Sequence, residues 1–215
     1  MKDIFISYII LITIWSVRIY IINDIWQPDL DLWSKAILNG SVKSIIWIMF
    51  AVFYLKRYNN ELCMPSNQLF DIKINWKYFF IVLLPFLAVQ FGSMFFKYGG
   101  FHIGESFHPI KLIGQFLIVG ILEELVFRGW FFNALASLVN DTKANIIQSL
   151  LFMGIHFPSY IDHGLFTFPR ILSISVFLFA MGMIFGWVFR KSKSLWPPII
   201  LHMIWDLLAI TINGM

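Results

Sequence analysis

The sequence predicts an all-α fold: a polytopic membrane helix bundle of about seven transmembrane helices, forming a single integral-membrane domain over residues 1–215. Three observations predict it. Hydrophobic residues make up 59% of the chain and charged residues 13%, with a mean hydropathy of +0.77, a balance too apolar for an ordinary water-soluble domain. Seven windows approach the roughly 17–25 apolar residues that a helix needs to cross hydrocarbon. The Lys and Arg residues between those windows are unevenly divided.

The first window runs from Ile4 to Ile22 and is interrupted by Arg18. Its apolar run continues past that residue without a small-residue cleavage site, so it reads as a retained helix and not a secretory signal. Ser44 to Leu55 is short. Tyr78 to Phe96, Leu112 to Leu138, Ala144 to Ile161, Ile171 to Phe189 and Pro197 to Ile212 follow. The polar stretches Asn23 to Lys43, Arg57 to Lys77 and Lys97 to Lys111 are expected loops. Asn39-Gly40, Met64-Pro65-Ser66-Asn67 and Gly99-Gly100 carry turn chemistry. Trp26, Trp33, Trp76, Tyr54, Tyr58 and Tyr98 fall where interfacial aromatics belong.

Cationic loops stay on the cytoplasmic side, which sets the orientation. A cytoplasmic amino terminus gathers Lys2, Lys56, Arg57, Lys73, Lys77, Lys143, Arg190, Lys191 and Lys193 inside. It leaves Lys35, Lys43, Lys97, Lys111 and Arg170 outside, a bias of nine to five. The net charge of +4 therefore reflects membrane topology, and no aromatic-interleaved basic stretch argues for nucleic acid. Cys63 is the only cysteine, which excludes a disulfide within one chain.

Two of the four glutamates, Glu123 and Glu124, sit side by side within the apolar run 113–136. An ionised acid at a bilayer centre costs roughly 2.5–3.5 kcal/mol on insertion scales, so the pair must face protein, water or a cation such as Arg128. The helical period puts Glu124 and Arg128 one turn apart and turns Glu123 about 100° away, leaving one acid neutralised and the other free. In the fifth window His156 falls mid-span, with Phe152 one turn behind it and Gly154 permitting close helix approach. In the last window His202 stands over Asp206 at i, i+4. Singly these are a helix clip, a packing histidine and a hydrogen-bonded pair. Together they supply a base, a partner imidazole, a counter-ion and a second polar pair. Up to residue 111 the windows hold almost no acid or histidine, so 1–111 reads as anchoring helices and 112–212 as catalytic ones. His102, His108 and His163 read as solvated loop residues.

Glu-Glu-x-x-x-Arg, Phe-x-x-x-His and His-x-x-x-Asp, in this order on three late helices, resemble the CAAX-protease and bacteriocin-processing family (CPBP, or Abi) of intramembrane endopeptidases. The resemblance covers about residues 112–210. It implies Glu123 as the catalytic acid, His156 as its partner in holding the attacking water, Glu124 and Arg128 as a supporting ion pair, and His202 and Asp206 as oxyanion or orienting groups. Members that carry Asn in the last position differ here, because an ionised Asp206 cannot donate a hydrogen bond. Asp206 is expected to orient His202 and favour its charged form, or to be protonated. A glutamate in a low-dielectric cavity is a competent general base, and His202 can stabilise a developing oxyanion. The resemblance also implies a metal-independent mechanism with no cofactor. The alternative is zinc held by Glu123, His156 and His202, a ligand set with an open position for water.

The expected partners are a peptide or membrane-tethered protein substrate and the lipid bilayer. The resemblance suggests a bacterial plasma membrane and a role in peptide maturation, peptide signalling or bacteriocin self-immunity. A non-proteolytic scaffold or immunity protein, with the polar cluster serving only to hold helices together, is the alternative. An ion-coupled carrier ranks below it, since no inverted repeat or broken-helix pair is visible. Glu123, His156, His202 and Asp206 are expected on one cavity opening towards the cytoplasmic leaflet.

Overall fold

The computed structural model describes residues 1–22, 30–72, 74–105, 107–110 and 112–213; the elements among them are helices. Trp26, Lys73 and Lys111, assigned above, lie outside the described residues. Helix α1 (Lys2–Val17) passes straight through Arg18 into a π-turn, Arg18–Ile22. Arg18 is accommodated by a hydrogen bond to Asn39 and by the Trp15 ring 4.9 Å away, so the charge does not break the span.

Helix α2 (Leu32–Arg57) starts well before the predicted Ser44. Asp31 caps it, accepting from the backbone N–H groups of Trp33 and Ser34, while the Ser34 hydroxyl donates to the same carboxylate and holds its pKa below the usual range. The predicted turn Asn39-Gly40 is therefore helix interior. A good cap and the apolar residues on either side outweigh the local turn preference of two residues. Helix α3 (Lys77–Tyr98) ends where expected, on Gly99 in the left-handed conformation (φ 72°).

The fourth predicted window is continuous but irregular. A π-helix (Leu112–Val119), an α-helical turn (Gly120–Glu124), a second π-helix (Leu125–Phe132) and a closing turn (Asn133–Ala136) follow one another, together called α4 here. The fifth window is split. Helix α5 (Asp141–Gly154) stops short of His156, and a short α6 (Phe157–Asp162) begins after it with Pro158 in its first turn. His156 thus sits at a helix junction, not mid-span. Helices α7 (Arg170–Ser192) and α8 (Trp196–Asn213) complete the bundle.

Among the described residues four helical runs are long and apolar enough to cross a membrane unaided: Lys2–Ile21, Leu32–Arg57, Lys77–Tyr98 and Arg170–Ser192. The other three predicted spans are the composite α4, the broken α5–α6 pair and the shorter apolar α8. Exposed apolar residues such as Ile9, Met49, Leu84 and Val176 run along the long helices and form the lipid-facing surface of an integral membrane protein.

Inside, aromatic rings link the first half of the chain to α4. Trp15 meets Trp47 edge-on at 5.5 Å, Trp47 meets Phe127 at 6.0 Å, and Tyr54 stacks on Trp130 at 5.0 Å. Tyr54 and Tyr58, expected at the interface, belong to this cluster. The predicted loop histidines vary: His163 is exposed, whereas His102 stacks on Tyr98 at 3.7 Å and His108 meets Trp33 edge-on.

Helices α5 and α7 pack closely because α7 presents glycine. A Cβ on Gly182 would lie 2.8 Å from the Ser149 Cβ and 3.0 Å from its Cα. Gly182→Val should therefore force the helices apart and cost about 1–3 kcal/mol, seen as a lower thermal midpoint in detergent.

Candidate active site

Glu124 and Arg128 lie one turn apart, as the helical period requires, and both are fully buried. Arg128 Nη1 donates to Glu124 Oε1 at 2.8 Å, and Arg128 Nη2 donates to the Gly182 carbonyl of α7 at 3.1 Å. The guanidinium carbon lies 4.6 Å from the Phe152 ring centroid and 5.3 Å from that of Phe185. A buried ion pair is tolerable only with such additional partners.

The same Glu124 oxygen accepts from His202 Nδ1 at 2.9 Å. His202 is further fixed by Phe185, stacked at 5.0 Å, and its Nε2 stands 3.6 Å from Asp206 Oδ2. The expectation that Asp206 orients His202 gives way here: Glu124 is the nearer acceptor and sets the ring. Asp206 lies beyond hydrogen-bond length and acts on Nε2 as a nearby charge.

Glu123 points away from Arg128, as predicted, but it is not free. Lys43 of α2 donates to Glu123 Oε1 at 2.8 Å, with its ammonium over the Trp15 and Trp47 rings at 5.4 and 5.0 Å. The other oxygen, Oε2, faces His156 Nε2 at 3.7 Å. His156 Nδ1 sits 2.7 Å from the Phe152 carbonyl. A carbonyl only accepts, so Nδ1 carries a hydrogen, and a neutral ring then turns the lone pair of Nε2 towards Glu123. Two acceptors 3.7 Å apart repel unless a donor serves both. A water giving one hydrogen to each meets that need and leaves its own lone pairs directed outward.

Phe152 organises the group, with its ring 5.0 Å from that of His156, 6.2 Å from that of His202 and edge-on to Phe127. Glu123, Phe152, His156, His202 and Asp206 line one cavity of about 580 Å³, walled also by apolar residues of α3 and α7 such as Val89 and Leu178. The sequence-selected residues from three separate elements thus converge. Lys43, Gln90 and Tyr160 also belong to this region but were missed. Lys43 lay in a stretch read as loop; Gln90 was visible as a polar residue inside an apolar window.

Among the described residues no three His, Cys, Asp or Glu side chains come together around one ion position, and His202 directs Nδ1 to Glu124 and Nε2 towards Asp206.

Comparison with known proteins gives this geometry a family. The Type II CAAX prenyl endopeptidase Rce1-like family matches residues 105–208. The CAAX prenyl protease 2 of Methanococcus maripaludis is 30% identical over 191 residues, covering 77% of this chain and 70% of the relative. The chain belongs to the CAAX prenyl protease family. The putative membrane peptidase YdiL of Bacillus subtilis is 28% identical over 102 residues, 47% of this chain and 36% of its own length. No solved structure matches the chain. The family match spans all three motif-bearing segments and leaves residues 1–104 outside it.

Removing Arg128 while keeping Glu124 leaves a buried carboxylate short of its cation. Arg128→Met should cost about 3–5 kcal/mol of stability. Adding Glu124→Gln should restore part of it, because the remaining amide oxygen still accepts from His202; paired melting curves check both.

Proposed function

We propose that this CAAX-protease family member is an intramembrane endopeptidase in which Glu123 and His156 activate a water. The observation that carries the reading is the facing acceptor pair, Glu123 Oε2 and His156 Nε2, 3.7 Å apart in a cavity that also holds an imidazole donor. A water bridging that pair attacks the peptide carbonyl, and Glu123 takes its proton as the new C–O bond forms. The carbonyl π electrons move to oxygen, and His202, held by Glu124, donates through Nε2 to the resulting oxyanion. When the C–N bond breaks, the proton on Glu123 passes to the leaving amine, by way of His156, and Glu123 is again a carboxylate. With His202 carrying both ring protons, three carboxylates (Glu123, Glu124, Asp206) face three cations (Lys43, Arg128, His202), a balance suited to a low-dielectric interior.

Lys43 is a positioning residue in this scheme: by occupying Oε1 it commits Oε2 to the water. The route needs no metal. The apolar cavity walls and the names of the two relatives support a peptide or membrane-tethered protein as substrate, consistent with peptide maturation, signalling or bacteriocin self-immunity.

Glu123→Gln and His156→Ala should each lower cleavage by roughly 10²–10⁴-fold while the protein still inserts and folds. Comparative proteomics of cells carrying active protein or Glu123→Gln should reveal a peptide that accumulates uncut. An unaffected cleavage rate would overturn the assignment of Glu123 and His156, and lowered stability with the cellular phenotype spared would favour the scaffold reading.

Lys43→Met should reduce kcat with little change in KM, and Lys43→Arg should recover part of the loss. Cleavage should also survive exhaustive chelation. Loss of activity that zinc alone restores would overturn the metal-free route.

A further inference from the structure

Helix α3 is apolar almost throughout, and between Lys77 and Lys97 only Tyr78, Gln90 and Ser93 carry an N–H or O–H group on the side chain. Gln90 and Ser93 are three residues apart, hence on one face, and both line the cavity that holds Glu123, His156, His202 and Asp206. The Ser93 hydroxyl donates to the Gln90 backbone carbonyl at 2.9 Å. The Gln90 side chain is only 6% exposed and makes no hydrogen bond among the described residues. Its amide is not sealed in protein but lines the cavity, so its donors and acceptor are open to a molecule that enters there.

A primary amide is complementary to one substrate chemistry in particular. It offers an N–H donor beside a C=O acceptor, and one residue of an extended peptide turns its own backbone C=O and N–H to the same side, which is the reverse pair. Asp206, which lines the same cavity, offers only acceptors as a carboxylate, so it cannot bind a substrate carbonyl. Gln90 can.

We propose that Gln90 is a substrate-binding residue that pairs with the backbone N–H and C=O of one residue of an extended peptide beside the scissile bond. The inference rests on the proteolytic reading above. It gives the anchoring half of the chain a direct contact with substrate and explains why an unpaired amide persists in this helix. Recognition through backbone also leaves side-chain selection to the apolar walls.

The test uses the full-length protein, a mixture of internally quenched peptides as reporter, and Gln90→Leu beside Gln90→Asn. With no internal partner to lose, Gln90→Leu should raise the thermal midpoint of the free protein by about 2–4 °C. It should lower kcat/KM by roughly tenfold, mainly through KM. Gln90→Asn, with a shorter amide, should fall between Leu and the wild type. A lower midpoint for Gln90→Leu would mean that the amide holds the fold together, and would overturn the proposal. So would kcat/KM within twofold of wild type while Glu123→Gln is inactive, an outcome that leaves the proteolytic reading standing. A wild type that cleaves nothing in the mixture would refute both.

Discussion

Charge enclosed by lipid must be answered within a few ångströms, and Arg128 is where this bundle answers it. Its guanidinium joins Glu124 on its own helix to the Gly182 carbonyl on α7, between two phenylalanine rings. Because Glu124 Oε1 also accepts from His202, the same cation fixes the orientation of an imidazole on α8. The pair therefore ties three helices together. Desolvation makes it costly, and the shared partners make it tolerable.

Once Glu124 is committed, the adjacent acid is directed elsewhere by the helix itself. Glu123 turns towards α2, where Lys43 waits between two tryptophan rings, and towards the junction after α5, where His156 stands. That junction matters. The interruption between Gly154 and Phe157 lets His156 hold the Phe152 carbonyl through Nδ1 and present Nε2 to the acid. The two π-helical stretches flanking Gly120–Glu124 are a further departure from regular backbone at the same place, a feature that recurs at functional sites.

The division between residues 1–111 and 112–212 read from the sequence is crossed at two points. Lys43 reaches the carboxylate from α2, and Gln90 lines the cavity from α3. Gln90 stands in a helix almost free of other polar side chains, where a polar group carries an energetic penalty, and it faces the cavity rather than lipid.

Composition and apolar windows were enough to establish an all-helical membrane protein, because hydrocarbon leaves a chain so few ways to satisfy its backbone. Local spacing likewise determined the Glu124–Arg128 pair and the divergence of Glu123, since one helical turn fixes both. Only the tertiary structure decided what Glu123 faces, that Glu124 and not Asp206 holds His202, and that the fifth span breaks at His156. Those outcomes depend on distances between elements far apart in the chain. Lys43 and Glu123 are eighty residues apart, and no periodicity within either segment encodes their meeting.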